Sequence, residues 1–239
     1  MFQYGTSTTN QPTMITEPVE SFFDSIKPEE TKFQFNYWGE LKPINDTEKF
    51  QRWLFAFMSV HTSWERNIIG YNSIKSWWNW INRWDHLENK LIESRVGMQN
   101  NRTKYIKEFT IKFWSNPSYY DKGEGETWAM FRNRLVNDIK GLGMAKVSFA
   151  LEMIHPTNAE VVCLDTHLFQ AYGLNQTKHN KMYHNLETHW VENSRKKDLP
   201  PYIARCIYWD RKQEKEDSRY WSHVLEEGDF FDDLKIKLN

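Results

Sequence analysis

The chain of 239 residues lacks long apolar runs, carries little cysteine and has a formal net charge of only −1. Two cysteines, Cys163 and Cys206, stand far apart, so this chain cannot build a disulfide framework or a four-cysteine metal or iron–sulfur site. No apolar run approaches transmembrane length, and the N-terminus lacks the apolar core of a secretion signal. We therefore expect an intracellular protein, in the cytoplasm or nucleoid, with no membrane partner.

Strand-like alternation and internal repeats are also missing, which predicts an all-α protein. The near-zero net charge excludes a generally basic nucleic-acid binder, but residues 66–112 carry nine Lys and Arg against four Asp and Glu, which leaves room for a basic face. Eight histidines raise the question of a metal. None forms an H-x-x-x-H pair with a suitable carboxylate, and His184 and His189 do not share a helix face. We predict no metal and no cofactor.

Aromatic residues are abundant: twelve Trp, eleven Tyr and fifteen Phe. With 39% hydrophobic residues, they can fill one or two modest cores between amphipathic helices. Aromatic side chains are also suited to stacking on unpaired bases.

Two glycines between two amphipathic helices constrain the interpretation most. Apolar residues recur at helical spacing on both sides, at Trp128, Phe131, Leu135 and Ile139 and then at Val147, Ala150, Leu151 and Ile154. Glycine permits positive φ and close backbone approach, and the second helix begins with free N–H groups. Residues Gly141, Leu142, Gly143, Ala145 and Lys146 are therefore candidates for binding a nucleic-acid phosphate. A glycine-capped turn without a ligand is the alternative.

A buried segment then leads to one carboxylate. Residues 161–164 form an uninterrupted apolar run, and the following Asp165-Thr166-His167 predicts a helix start with Asp165 near the N-cap. An N-cap aspartate is usually structural. The order of glycine hairpin, helix, apolar run and carboxylate is less common.

From Lys140 to Gly173, this order resembles the helix-hairpin-helix DNA glycosylase superfamily, the endonuclease III-like base-excision enzymes. In that family the hairpin is followed by one helix and a VDTH-like segment with the catalytic aspartate. The resemblance extends more loosely over residues 45–210. It implies an all-α fold of two lobes with the active-site cleft between them, and a partner that is duplex DNA with a damaged or modified base. We expect a monomer.

The resemblance implies that Asp165 is catalytic. As the bond from sugar to base stretches, positive charge grows on the sugar, and a carboxylate near C1′ stabilises that charge and orients or deprotonates a water molecule. The SVHTSW segment matches an SxQT-like segment of the family, which implies that His61 fills the gap left by the everted nucleotide. Trp64 and His167 are then expected at the base pocket. A helix-ending surface histidine is the alternative for His61.

Two basic residues fall in a segment similar to the family's GxxNxKAxxI pattern. Arg102 and Lys104 there are candidate phosphate contacts, with solvated charges at a helix start as the ordinary explanation.

The family divides according to a lysine near the start of the second hairpin helix, which attacks the sugar and forms a Schiff base. The matching position here is Ala145, and Lys146 follows one residue later. We therefore predict a monofunctional glycosylase, with Lys146 at a phosphate or in solvent. A shifted register would return Lys146 to the catalytic position.

Two other functions remain open. The scaffold also resembles phage enzymes that attach groups to modified pyrimidines in DNA, and there Asp165 would act as a base toward an incoming amine. A DNA-binding protein without catalysis is disfavoured, because a carboxylate facing phosphates would repel them.

The domain organisation follows from the same patterns. Residues 1–32 are polar and predict a flexible arm or surface strap. Residues 33–60 and 174–239 are expected to form one lobe, and residues 61–173 the other, with the hairpin at 127–155. Asn45 predicts a helix start with Glu48 in a capping-box-like position, and Pro201 predicts another. Aromatic residues at helical spacing over 73–84 predict a buried helix.

Overall fold

The computed structural model describes residues 15–213, which are helical and contain no strand. The helices are α1 (Glu17–Asp24), α2 (Pro28–Glu40), α3 (Asp46–Met58), α4 (Trp64–Ile74), α5 (Trp84–Glu93), α6 (Gln99–Ser115), α7 (Trp128–Asp138), α8 (Met144–Ile154), α9 (Thr166–Ala171), α10 (Gln176–His179), α11 (Tyr183–Lys196) and α12 (Pro201–Gln213). The all-α prediction is confirmed. No helix within this range combines the length and hydropathy needed to cross a bilayer.

Helix α3 lies at the centre of the core. It begins as predicted, because Asn45 Oδ1 accepts a hydrogen bond from Glu48 N at 2.9 Å while the Glu48 carboxylate accepts one from Ile44 N at 3.0 Å. Every residue from Arg52 to Met58 is buried. The helix packs against α4, α6 and α8, so its C-terminal end lies beside the hairpin helix α8. The predicted division into lobes stays a prediction, although α3 was assigned to the terminal lobe and packs mainly on the other.

Part of the predicted flexible arm is folded. Helix α1 packs on α11, with Phe23 fully buried and the rings of Phe22 and Phe23 centred 5.7 Å and 4.9 Å from that of Trp190. Trp190 supplies a large apolar partner surface for the two phenylalanines. Val19 is buried as well, and Glu20 Oε1 lies 3.2 Å from Nε2 of His189 in α11. The rest of the predicted arm, residues 1–14, lies outside the described residues.

The prediction of one buried helix over residues 73–84 is wrong. Helix α4 ends at Ile74, and a short turn of 3₁₀ helix at Trp77–Asn79 separates it from α5. The indole of Trp80 is buried and donates to the carbonyl of Ile74 at 2.8 Å, which satisfies a carbonyl that continued helix would have used. Trp78, expected in the core, is 59% exposed.

The prediction that a helix begins at Pro201 is confirmed by α12. Helix α11 begins at Tyr183, after the short α10 and a 3₁₀ turn. The remainder of the predicted terminal lobe, residues 214–239, lies outside the described residues.

Candidate active site

The loop between α7 and α8 contains two glycines in different surroundings. One packs against a neighbouring side chain, and the other borders open space. Gly141 has φ +87°, and a Cβ atom there would lie 2.4 Å from Cδ2 of Tyr105. Gly143 has φ −85°, and no atom lies within 4 Å of where its Cβ would be. Gly141 is thus required by backbone conformation and by Tyr105, whereas Gly143 exposes bare backbone.

Helix α8 begins at this exposed backbone. Gly143 is its N-cap and offers no side-chain acceptor, and the first turn contains no acidic residue. The carbonyl of Gly143 accepts from Lys146 N and Val147 N, both at 3.0 Å, while the N–H groups of Met144 and Ala145 have no acceptor among the described residues. The positive end of the helix dipole is therefore available to an anion.

Three buried side chains fix the backbone of residues 162–164. Val162 N donates to Glu187 Oε1 at 2.9 Å, Cys163 N donates to Glu152 Oε1 at 3.0 Å, and Leu164 N donates to the Tyr183 hydroxyl at 3.3 Å. This extended segment has no strand partner in the described chain, so side chains satisfy its backbone. These hydrogen bonds fix the position of the backbone that leads to Asp165.

Asp165 is the N-cap of α9, as the sequence predicts. Its Oδ1 accepts from His167 N at 2.9 Å and from Leu168 N at 3.0 Å. Both bonds use the same oxygen, so Oδ2 has no hydrogen-bond partner within residues 15–213. One carboxylate oxygen orients the group and the other is available to a ligand.

A cavity of about 640 Å³ lies at this point, and Asp165 is in its wall. Lys146, Trp64 and His167 line the same cavity, which brings together residues from α4, α8 and α9. Its volume is in the usual range of small-ligand sites, about 300–1,000 Å³. Trp38 of α2 and Trp209 of α12 add aromatic surface.

The overall fold is matched among solved structures. No protein-family model matches the chain, and no curated protein matches it significantly. The 8-oxoguanine DNA glycosylase of Methanocaldococcus jannaschii superposes with a TM-score of 0.64 at 19% identity, covering 84% of this chain and 95% of its own. That of Thermotoga maritima superposes with a TM-score of 0.66 at 18% identity, covering 85% and 100%. A complex of the former enzyme with a 15mer DNA containing 8-oxoguanine gives a TM-score of 0.62 at 17% identity, covering 84% and 98%.

The chain has the helix-hairpin-helix DNA glycosylase fold. In this glycosylase fold, the hairpin is formed by α7, the loop with Gly141 and Gly143, and α8. Leu142 is buried between the two glycines and anchors the loop to the core.

Lys146 lies at the cavity. The side chain lines the cavity, and its Nζ lies 5.6 Å from the centre of the Phe149 ring. Ala145 is partly buried but does not line the cavity. Which of the two residues matches the family's lysine stays a prediction.

The residues expected at the base pocket, Trp64 and His167, both line the cavity. His167 packs edge-on against Trp209 with ring centres 4.4 Å apart, and its Nδ1 is buried without a hydrogen-bond partner. His61 is exposed in the turn between α3 and α4 with φ +50°, two residues before the cavity-lining Ser63. It does not line the cavity itself.

Arg102 is not placed for a phosphate contact. Its side chain is buried and donates to the carbonyl oxygens of Gly97, Phe57 and Val60 and to the Thr62 hydroxyl. These contacts hold the turn that leads into α4, and they leave the guanidinium covered. Lys104, two residues later, is exposed. The sequence could not separate the two because burial is decided by tertiary packing.

Sequence reasoning missed a buried ion pair beside the cavity. Arg205 lines the cavity and donates to Glu152 twice, from Nε to Oε1 at 3.0 Å and from Nη2 to Oε2 at 2.6 Å. Burial raises the pKa of Glu152 to about 7, while Arg205 and the Cys163 N–H act in the opposite direction. A glutamate between Leu151 and Met153, in the apolar helix α8, was the available signal.

Both cysteines line the cavity, but neither suits nucleophilic chemistry. Burial raises the pKa of the Cys163 thiol to about 12, and it raises that of Cys206 as well. Thiols, not thiolates, are therefore present at neutral pH.

Proposed function

We propose that the protein is a DNA glycosylase that everts a modified base from duplex DNA and cleaves its bond to C1′. The observation that carries the proposal is that Asp165, with one free carboxylate oxygen, lines the same cavity as Lys146 of the hairpin helix. In a protein that only binds DNA, a carboxylate facing the phosphates would repel them.

Asp165 is the group proposed to stabilise the reaction. In hydrolysis, the oxygen of water bonds to C1′, the C1′–N bond breaks, and the base leaves after protonation. The hydrogen bonds from His167 N and Leu168 N hold Oδ1, so Oδ2 can face the positive sugar or take the proton of the water.

The DNA is proposed to lie across the hairpin. The N–H groups of Met144 and Ala145, next to the open backbone of Gly143, suit a backbone phosphate. Lys104 adds a positive charge. His61, exposed just outside the cavity, suits the gap that the everted nucleotide leaves in the duplex, because imidazole is flat and can hydrogen-bond.

The position of Lys146 favours a second candidate reaction. Its uncharged amine would attack C1′ and displace the base, and ring opening would give an iminium between Nζ and C1′. Loss of a C2′ proton would then expel the 3′ phosphate and cut the strand. This candidate predicts a covalent adduct when borohydride reduces the imine, whereas hydrolysis by water alone predicts none.

The test is a panel of duplexes carrying one oxidised, alkylated, deaminated or hypermodified base. The fold neighbours are named for 8-oxoguanine, which makes that base the first to test. We expect an abasic product in the wild type and a loss of at least about 100-fold in Asp165→Asn. Asparagine is as good an N-cap as aspartate, so this variant should keep α9 and isolate the charge.

Each alternative has its own outcome. Base release that is unchanged in Asp165→Asn would remove Asp165 from the mechanism. A base that stays attached and gains mass in the presence of an amine donor would identify a base-modifying transferase. Binding with no change in the DNA would leave a non-catalytic protein.

A further inference from the structure

Arg205 presents to the cavity a guanidinium nitrogen that no protein group uses. The residue lies in α12, lines the cavity and is 6% exposed. Its Nε and Nη2 donate to the two carboxylate oxygens of Glu152. The third nitrogen, Nη1, has no hydrogen-bond partner in the part of the chain that the structure describes, yet it is not sealed from solvent. Because Arg205 lines the cavity and is otherwise buried, this surface opens into the cavity.

The guanidinium of Arg205 is held in place from three sides. The ring centres of Phe149 and Tyr202 lie 5.6 Å and 5.2 Å from Arg205 Cζ, and the two hydrogen bonds to Glu152 fix the plane of the group. A guanidinium held in this way loses little further conformational freedom when it binds a ligand. It also keeps its proton at neutral pH, so Nη1 can donate hydrogen bonds but cannot accept them.

The ion pair is oriented relative to the cavity. Arg205 lines the cavity, whereas Glu152 is fully buried and does not. The positive end of the pair therefore faces the cavity, and the negative end lies in the core. A fixed positive group in surroundings of low dielectric stabilises negative charge more strongly than the same group does in water.

Two observations favour a base over a backbone phosphate as the partner of Nη1. Trp64 and Trp209 line the same cavity, and their aromatic faces suit the faces of a base. Glu152 already balances the charge of Arg205. The pair therefore suits a group that is neutral when it enters the cavity and becomes negative during the reaction.

Resting on the proposed function, we infer that Arg205 stabilises the departing base. As the C1′–N bond breaks, its electron pair passes to the base and spreads to the acceptors that are conjugated with the glycosidic nitrogen. Nη1 donates a hydrogen bond to one of these acceptors, which carries negative charge until a proton from water reaches the base. Asp165 faces the positive sugar and Arg205 the negative base.

The experiment removes the guanidinium and returns it from solution. The substrate is the duplex of the panel whose base the wild type releases fastest. Arg205→Ala should release this base at least about 100-fold more slowly, the usual cost of losing one donor to a developing negative charge. Millimolar guanidinium ion should restore much of the rate, because two of its nitrogens can bind Glu152 while the third reaches the base.

Acetamidinium ion is the matched control for guanidinium. It has two nitrogens for Glu152 and a methyl group in place of the third. Both cations return a counter-charge to Glu152, so both should raise the melting temperature of Arg205→Ala. Only guanidinium should restore base release. Equal rescue of base release by the two cations would show that Arg205 acts through Glu152 alone, and it would overturn the inference.

Arg205→Lys provides a second test, which does not depend on the folding of Arg205→Ala. Lysine keeps a counter-charge for Glu152 but has no third nitrogen. It should slow base release and leave the affinity for an uncleavable duplex, with a 2′-fluorinated nucleotide, close to that of the wild type. The reason is that the negative charge exists only during the reaction.

Arg132→Lys is the matched control for Arg205→Lys. Arg132 is fully buried and pairs with Glu187, whose Oε1 also accepts from Val162 N, and Arg132 does not line the cavity. This variant therefore disturbs the segment before Asp165 without changing the cavity. It should release base at close to the wild-type rate. A loss as large as that of Arg205→Lys would show that the effect passes through the backbone, against the inference.

The failure of this inference differs from the failure of the proposed function. If the wild type releases a base and Arg205→Lys releases it equally fast, Arg205 does not act on the base and the glycosylase proposal stands. If the wild type releases no base from any duplex of the panel, the proposed function is overturned, and this inference with it.

Discussion

Arg205 and Glu152 form a two-bonded ion pair that joins α12 to α8, with Nε–Oε1 3.0 Å and Nη2–Oε2 2.6 Å. Glu152 Oε1 also accepts from Cys163 N at 3.0 Å, in the segment that leads to Asp165. The pair therefore fixes the segment that carries Asp165 to two helices at once.

We predict that Arg205→Met lowers the free energy of unfolding by about 3–5 kcal/mol, because it leaves the Glu152 carboxylate buried without its counter-charge. Urea unfolding monitored by circular dichroism measures this. The double variant Glu152→Met/Arg205→Met is the control. It should recover most of the loss, since replacing both charges by apolar groups removes the unpaired charge. A double variant as unstable as the single one would show that the charge is not responsible, and that packing or the lost acceptor of Cys163 N is.

The two hairpin glycines should respond differently to alanine. Gly141→Ala is expected to lower the free energy of unfolding by about 2 kcal/mol or more, because φ is positive and the new Cβ would meet Tyr105. Gly143→Ala should leave stability unchanged, since its Cβ points into open space. Because that space is where we place the phosphate, Gly143→Ala should instead weaken duplex binding. Equal effects of the two substitutions on both measurements would contradict this division.

The sequence predicts helix starts well here, because the signals are local. Asn45, Asp165 and Pro201 each begin a helix as expected, and their contacts lie within a few residues. The order of the hairpin and the carboxylate carried the resemblance to a known family, and that resemblance predicted the fold.

What could not be predicted depends on tertiary contacts. Aromatic spacing over 73–84 does not reveal that Trp80 bonds the carbonyl of Ile74 and ends the helix. Whether Ala145 or Lys146 matches the family's lysine stays a prediction, because the two differ by one residue, which is within the error of a sequence register.

Arg102 and Lys104 should separate into structural and DNA-binding roles. Arg102→Lys cannot reproduce four directed hydrogen bonds and should lower the melting temperature. Lys104→Ala should leave the melting temperature unchanged, but reduce the slope of log affinity against log salt concentration by about 1. Duplex binding titrated over a range of salt tests this, and an unchanged slope would remove Lys104 from the interface.

His155 should make the protein sensitive to acid. Burial lowers the pKa of His155 to about 4, and its Nε2 has no hydrogen-bond partner. Between pH 6.5 and 4 the unfolded chain therefore binds a proton that the folded protein does not, so stability falls as pH falls. The contribution is about 3 kcal/mol over this window.

The ring centres of His155 and Trp128 lie 5.1 Å apart. His155→Phe keeps a ring in contact with Trp128 and removes the titrating group. Its unfolding free energy should fall less than that of the wild type between pH 6.5 and 4, as measured by urea titration at each pH. The same carboxylates titrate in both proteins, so their contribution cancels when the two pH profiles of the unfolding free energy are compared. Parallel profiles would show that His155 is not the sensitive group.

His61 offers a test of whether a strained residue is retained for function. A non-glycine residue with positive φ costs about 1 kcal/mol, and His61 has φ +50°. His61→Gly should therefore raise the free energy of unfolding by up to about 1 kcal/mol while slowing base release, because nothing fills the gap in the duplex. His61→Asn is the matched variant, since asparagine tolerates this backbone conformation and keeps a flat hydrogen-bonding group. His61→Asn should release base faster than His61→Gly, at a similar free energy of unfolding. If His61→Gly releases base as fast as the wild type, His61 does not enter the DNA.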